Sequence, residues 1–273
     1  MFTRGTSLQN HLSTKANQWL LPDAPTLALR HAAKPGVSSI QTMLLANNEI
    51  ELESVLKSID ISVPRRSEGR IKEHTERYAI AHMLSALLGK THLSYPLELV
   101  RRERPDFLLK VSGLEIGIEH TEAVPQNEAH KAVLRDKVDG PEVQFISLHH
   151  PIEPSKRAKH LIEEIQANHA GSGWTGDSVE REWSEAMLFF FEGKIKALAK
   201  EGFDRFQQNW LLIYDNWSLP AVDREKSSQY LFQELIESKY FDNFSSIFII
   251  TGSLIFEFSN SGIVQHEIND LWK

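Results

Sequence analysis

Pro105-Asp106-Phe107-Leu108-Leu109-Lys110-Val111-Ser112-Gly113-Leu114-Glu115-Ile116-Gly117-Ile118-Glu119-His120-Thr121 reads as two extended segments joined by a tight turn. Side chains of a strand alternate between two faces, so Asp106, Leu108 and Lys110 share one face of the first segment, and Gly117, Glu119 and Thr121 share one face of the second. Val111-Ser112-Gly113 supplies the turn, with Gly113 free to take positive φ. In a hairpin of this register Asp106 and Glu119 converge on one point. Carboxylate oxygens are the hard donors that Mg²⁺ and Mn²⁺ prefer, and Mg²⁺ is commonly held by only one or two of them together with water and substrate oxygens. The pair therefore defines a candidate metal site. Glu119 also follows Ile116-Gly117-Ile118, an apolar run expected of a buried central strand, where an acid without a partner is costly. The plain structural alternative is a Pro-Asp strand start and an exposed acid on an edge hairpin.

The pattern Pro105-Asp106, hairpin, Glu119-x-Thr121 resembles the core of the PD-(D/E)XK, or restriction-endonuclease-like, nucleases over roughly residues 68 to 135. The resemblance implies an α/β fold with an αβββαβ core and a mixed sheet. It further implies hydrolysis of phosphodiester bonds, Mg²⁺ or Mn²⁺ as cofactor and nucleic acid, DNA first, as partner. The sequence departs from the family at Thr121, where a Lys is the rule. In the family that Lys positions the attacking water and offsets charge growing on the phosphate, work a hydroxyl cannot do as a cation. Thr121 is left with hydrogen bonding to water or to a phosphate oxygen. Lys110, on the Asp106 face, and Lys131, in the helix expected after the second strand, are the candidate surrogates. A catalytically inactive nuclease-like binding or assembly module is the alternative that the missing Lys favours.

Ser67 to Leu88 has the periodicity of a helix capped by Ser67 and ended by Gly89. Glu73, Glu76, Ile80, Met83, Leu84 and Leu87 fall along one stripe of it. In the resembling family an acid from this helix often completes the metal site, and Glu76 is the best match by face, with Glu73 second. The alternative is that both acids simply favour the positive end of the helix dipole.

Pro22, Pro25, Pro35 and Pro64 punctuate the first 66 residues, which read as an arm or small subdomain containing helix-like pieces at Ile40 to Leu45 and Ile50 to Ile59. Residues 67 to 273 form the nuclease-like domain, with residues 139 to 205 as a largely helical insertion. Within this domain the expected elements are a helix from Gln126 to Val138, a strand from Glu142 to Leu148, and helices from Ser155 to about His169 and from Asp177 or Ser178 to about Lys200. Leu188, Phe189, Phe190 and Phe191 give the last helix apolar surface nearly all round, which implies burial or a homodimer contact. Trp210 to Tyr214, a helix from Asp223 to Lys239 and Ser246 to Thr251 make a parallel crossover unit. A terminal hairpin turns at Asn260-Ser261-Gly262.

At 273 residues, 41% hydrophobic and 25% charged, the chain has the composition of an ordinary globular protein. It contains no cysteine, which excludes disulfides, thiolate zinc sites and cysteine nucleophiles. Without an apolar leader or a membrane-length apolar run, the expected setting is cytoplasmic and off the membrane. The net charge of −7 is unevenly spread: residues 1 to 110 hold 15 Lys and Arg against 11 Asp and Glu, residues 111 to 273 hold 15 against 26. Arg65, Arg66, Arg70, Lys72, Arg101, Arg102 and Arg104 lie in the basic part, as phosphate contacts or as an ordinary solvated face. The histidines show no zinc-hydrolase spacing, no Gly-rich phosphate loop or nucleophile elbow occurs, and Asp215 at a strand end reads as a loop cap.

Overall fold

Strands β3 (Phe107–Val111) and β4 (Leu114–Ala123) pair antiparallel in the register Phe107↔Ile118, and Ser112 (φ 46°) and Gly113 (φ 86°) turn the chain between them. Both turn residues are left-handed, the geometry whose twist matches that of the flanking strands. The hairpin sits inside a mixed eight-stranded sheet, known from a computed structural model that describes residues 41–146, 148–199 and 204–273. The sheet follows chain order from β1 to β8. β1 (Gln41–Ala46), β2 (Leu97–Arg101), β3 and β4 are successively antiparallel. β5 (Gln208–Asp215) and β6 (Ser246–Thr251) then run parallel to β4, and β7 (Leu254–Ser259) and β8 (Gly262–Glu267) finish antiparallel.

The parallel strands β5 and β6 are apolar on consecutive residues because helices cover both sides. On one side Trp210, Leu212, Phe248 and Ile250 pack with Leu52 and Leu56 of α1 (Glu49–Ser58) and with Ile80, Met83 and Leu84 of α2 (Lys72–Ala86). On the other, Leu211, Ile213, Ile247 and Ile249 pack with Trp183, Met187 and Phe191 of α5 (Ser178–Leu198) and with Leu231 and Leu235 of α6 (Arg224–Glu237). Helices α3 (Gln126–Arg135) and α4 (Ala158–Ala167) precede α5 in the connection from β4 to β5. Phe191 is buried in the second core, Leu188 and Phe190 are partly buried against it, and Phe189 stays exposed. Intramolecular packing thus accounts for most of that aromatic run.

Four expectations change. Gln41–Ala46 is a strand, not a helix, and with α1 it belongs to the same sheet and core as the rest, so the break expected at residue 66 does not separate these elements from it. Residues 1–40 lie outside the described residues. The helix expected from Ser67 begins at Lys72, because Arg66–Glu68 forms a 3₁₀ turn ended by Gly69 at φ 87°. Leu97–Arg101 is a strand where no element is expected from the sequence. The strand expected over Glu142 to Leu148 does not form: the described residues of that stretch pair with no strand, and Val143, Phe145, Ile146 and Leu148 are exposed.

Away from the hairpin, Glu257 of β7 accepts hydrogen bonds from His266 Nε2 (2.8 Å) and His92 Nε2 (2.9 Å), which ties β8 and the loop after α2 to the sheet. Burial favours the neutral acid, yet these two bonds hold Glu257 down at about 2. Asp215 accepts from Trp183 Nε1, from the Trp217 amide and from Arg224, the anchoring role expected of an acid at a strand end.

Gly117 marks the closest packing in the hairpin. A Cβ there would stand 2.7 Å from Phe206 Cδ2, 3.1 Å from Pro105 Cγ and 3.2 Å from Asn209 Oδ1. Gly117→Ala is therefore expected to cost about 1–3 kcal/mol of stability and, by pushing on Pro105, to displace Asp106. Urea denaturation measures the first effect. A change of stability below about 0.5 kcal/mol would contradict the tight approach.

Candidate functional site

Asp106 lies one residue before β3, opposite Glu119, at the point where the pairing of β3 with β4 begins and β4 continues past it. The His120 amide is there left without a strand partner, and Asp106 Oδ2 accepts from it at 2.7 Å. The carboxylate thus closes the fork between the strands. Its other oxygen accepts from Lys72 Nζ of α2 at 2.5 Å. Lys72 also reaches Glu76 Oε1 one turn along α2, at 2.7 Å, and Arg101 of β2 reaches Glu76 Oε2 at 3.1 Å. On the α5 side Lys194 Nζ donates to Glu119 Oε2 at 2.7 Å and stands 3.6 Å from Asp106 Oδ2.

Three acids proposed from sequence, Asp106, Glu119 and Glu76, are accordingly joined through two ammonium groups. Asp106 is 3 %, Glu76 3 % and Glu119 6 % exposed, and burial of carboxylates to this degree is costly unless cationic partners answer them. Burial pushes Asp106 up, but Lys194, Lys72 and the His120 amide together hold it below the usual aspartate range. Burial and then the neighbouring Asp106 charge push Glu119 above the usual glutamate range, and Lys194 only partly offsets them. The two carboxyls are driven apart: one is firmly ionised, the other takes up a proton more readily. His120 turns to the opposite strand face, where burial drives it down to about 3 and keeps it neutral.

Neither lysine proposed as a surrogate is present at this site. Lys110 is bound to Glu98 Oε2 at 3.0 Å and lines a separate cleft with Leu108 and Phe206. Lys131 lies between Glu128 (2.8 Å) and Glu164 (2.9 Å) in the α3–α4 pair. Glu73 is drawn to Arg101 at 2.7 Å and its side chain is half exposed. Thr121 lines a cavity of about 340 Å³ beside Lys72 and Lys194. Lys194, the cation that does meet both hairpin acids, stands 75 residues beyond Glu119. A signal for it existed: Trp183, Met187, Phe191 and Leu198 form the buried stripe of α5, and Lys194 falls between the last two of them at helical spacing.

Among the described residues no group of three or more His, Asp or Glu side chains has the arrangement of a metal cluster. A two-carboxylate site lies outside that pattern. The donor set of Asp106 and Glu119 does fit a small divalent cation that keeps water and substrate oxygens in its remaining positions. The ammonium of Lys194, touching oxygens of both acids, marks where a positive charge is stabilised. No helix among the described residues is long and apolar enough to cross a membrane. No protein-family model, curated protein or solved structure matches this chain.

Proposed function

We propose that the chain is a metal-dependent nuclease, an endonuclease acting on DNA, built on a restriction-endonuclease-like core. The observation that carries this reading is the meeting of Asp106, Glu119 and Lys194 at the β3–β4 fork. The order α2, β2–β3–β4 antiparallel, helix, β5 parallel is similar to the αβββαβ core of that family. Lys194 would stand in for the Lys that position 121 lacks.

Asp106 and Glu119 would hold Mg²⁺ or Mn²⁺, with Glu76 able to join once Lys72 moves aside. A divalent ion there supplies Lewis acidity and lowers the pKa of water to make a nucleophile. Lys194, beside both acids, would orient the attacking water and offset charge growing on the phosphate oxygens. Lys72 contributes a second positive charge from the start of α2. The Thr121 hydroxyl adds a hydrogen bond without charge.

One observation favours the second reading, an inactive binding or assembly module: Lys72, Lys194 and Arg101 already neutralise the three acids. Calorimetric titration with Mn²⁺ separates the two. Because Glu119 is raised, a proton competes with the ion below its pKa, so affinity is expected to increase as pH rises through that value. Cleavage of plasmid or oligonucleotide DNA in Mg²⁺ or Mn²⁺ should follow the same rise. Absence of metal binding at every pH, or equal binding by Asp106→Ala, favours the module and defeats the nuclease.

A further inference from the structure

A cavity of about 340 Å³ opens at the start of α2, lined by Arg66, Arg70, Lys72, His120, Thr121, Glu122 and Lys194. Four of these are cationic. Arg66 and Arg70 both donate to Glu122 Oε1 at 2.7 Å, and Asn216 Nδ2 shares the same oxygen. One carboxylate oxygen thus serves three donors. Arg70 Nε is buried without an acceptor. His120, 2 % exposed, also lines the cavity and has a ring nitrogen, Nε2, with no partner.

The helix end adds to this. Ile71 occupies the N-cap of α2 and offers no side-chain acceptor to the amides of the first turn. Helix starts of this kind attract anions through free amides and the dipole. Arg70 and His120, each with a buried nitrogen that lacks a partner, thus line one small space together with the start of a helix whose cap residue offers no side-chain acceptor.

We infer that this cavity binds a phosphomonoester, the terminal phosphate of a nucleic-acid strand, next to the carboxylate site. The inference rests on the nuclease reading for the identity of the strand. Arg66 and Arg70 share the single charge of Glu122 and so keep a net positive charge even while Lys72 and Lys194 stay paired with the neighbouring acids, which suits a dianion better than a diester monoanion. Two arginines spaced by one turn of chain present forks that match phosphate oxygens. The volume admits a phosphate and its sugar but not a duplex. An end bound here sets the reacting bond at a short fixed distance from that end.

Fluorescence anisotropy in EDTA, with cleavage off, tests this with short single strands carrying a 5′-phosphate, a 3′-phosphate or hydroxyl ends, and with inorganic phosphate as competitor. One of the two phosphorylated ends is expected to bind about 10-fold tighter than the hydroxyl-ended strand, as a charge-assisted pair of hydrogen bonds provides. Inorganic phosphate should remove that advantage. Arg70→Ala should reduce it to within about twofold, and Arg70→Lys, which keeps the charge and loses the fork, should fall between. Should Arg70→Ala melt early, Arg66→Ala carries the same comparison. Equal affinity of all three strands for the wild-type protein overturns the inference. Its failure is separable from that of the nuclease reading: hydroxyl-ended DNA cut in Mn²⁺ without any end preference removes the subsite and keeps the enzyme. An end preference without cleavage keeps the subsite and removes the enzyme.

Discussion

Asp106→Ala is expected to lower DNA cleavage by more than about 100-fold, because even partners that merely orient a metal ligand cost 10–100-fold when removed. Beyond the metal role proposed for it, Asp106 has a structural one. Its Oδ2 fixes the His120 amide at the strand fork, and its Oδ1 draws in Lys72. Loss of both leaves the buried His120 amide without an acceptor and Lys72 and Lys194 with Glu76 and Glu119 alone, so the variant should also be less stable, by about 1–3 kcal/mol for the unpaired amide. Glu119→Gln separates the chemistry from the stability. It keeps the shape, removes the charge that Lys194 answers, and relieves a carboxyl held above its ordinary pKa by burial and by Asp106. A group whose folded pKa is raised contributes stability that is fully present below its unfolded pKa and is lost as pH rises through the folded value. Glu119→Gln should therefore lose cleavage as severely as Asp106→Ala while losing little or no stability at neutral pH. Single-turnover cleavage rates and urea midpoints measured on the same preparations check both halves. Wild-type rates in either variant would remove these acids from the reaction.

The elements that the sequence made plain are those whose local signal and tertiary setting agree. The β3–β4 hairpin had alternation and a turn glycine; β5, α6 and β6 had apolar runs separated by a capped amphipathic helix; β7 and β8 had a two-residue turn. Such agreement is what makes a segment readable. Gln41–Ala46 failed because a short apolar run has no decisive period, and its strand state comes from pairing with β2. Glu142 to Leu148 failed in the opposite direction. Its residues favour a strand, but backbone groups need a neighbouring strand, and the eight strands of the sheet already occupy consecutive places. Of the site, Glu119 and Glu76 are legible because each lies on a periodic element with its face fixed, and Asp106 because it directly precedes such an element. The basic partner could not be found by proximity in sequence. Lys110 and Lys131 were the nearest lysines along the chain, whereas Lys194 reaches the acids from α5, across the second face of the sheet. The lysine interrupting a buried stripe was the one legible trace of it.

That displacement leads to the most demanding test of the arrangement. Lys194→Met removes the ammonium that contacts both acids while keeping an unbranched chain of similar length on the buried stripe of α5. A cation aimed at developing phosphate charge typically contributes 10²–10³-fold, so cleavage should fall by about that factor. Binding of Mn²⁺ should strengthen instead, since Lys194 competes with the ion for Asp106 and Glu119. Opposite movements of metal affinity and rate are not what a merely structural lysine would give. Thr121 then provides the complement. It stands two residues after Glu119 on the same face of β4 and lines the cavity that Lys194 also lines. A Lys introduced there by Thr121→Lys, in the Lys194→Met background, would approach the same oxygens from the strand. The double variant is expected to recover at least about 10-fold of the lost rate, which corresponds to about 1.4 kcal/mol of transition-state stabilisation. Thr121→Lys alone should gain little, because two ammonium groups would then compete for one pair of carboxylates. Additive losses in the double variant, with no recovery, would mean that Lys194 supports the helix rather than the reaction.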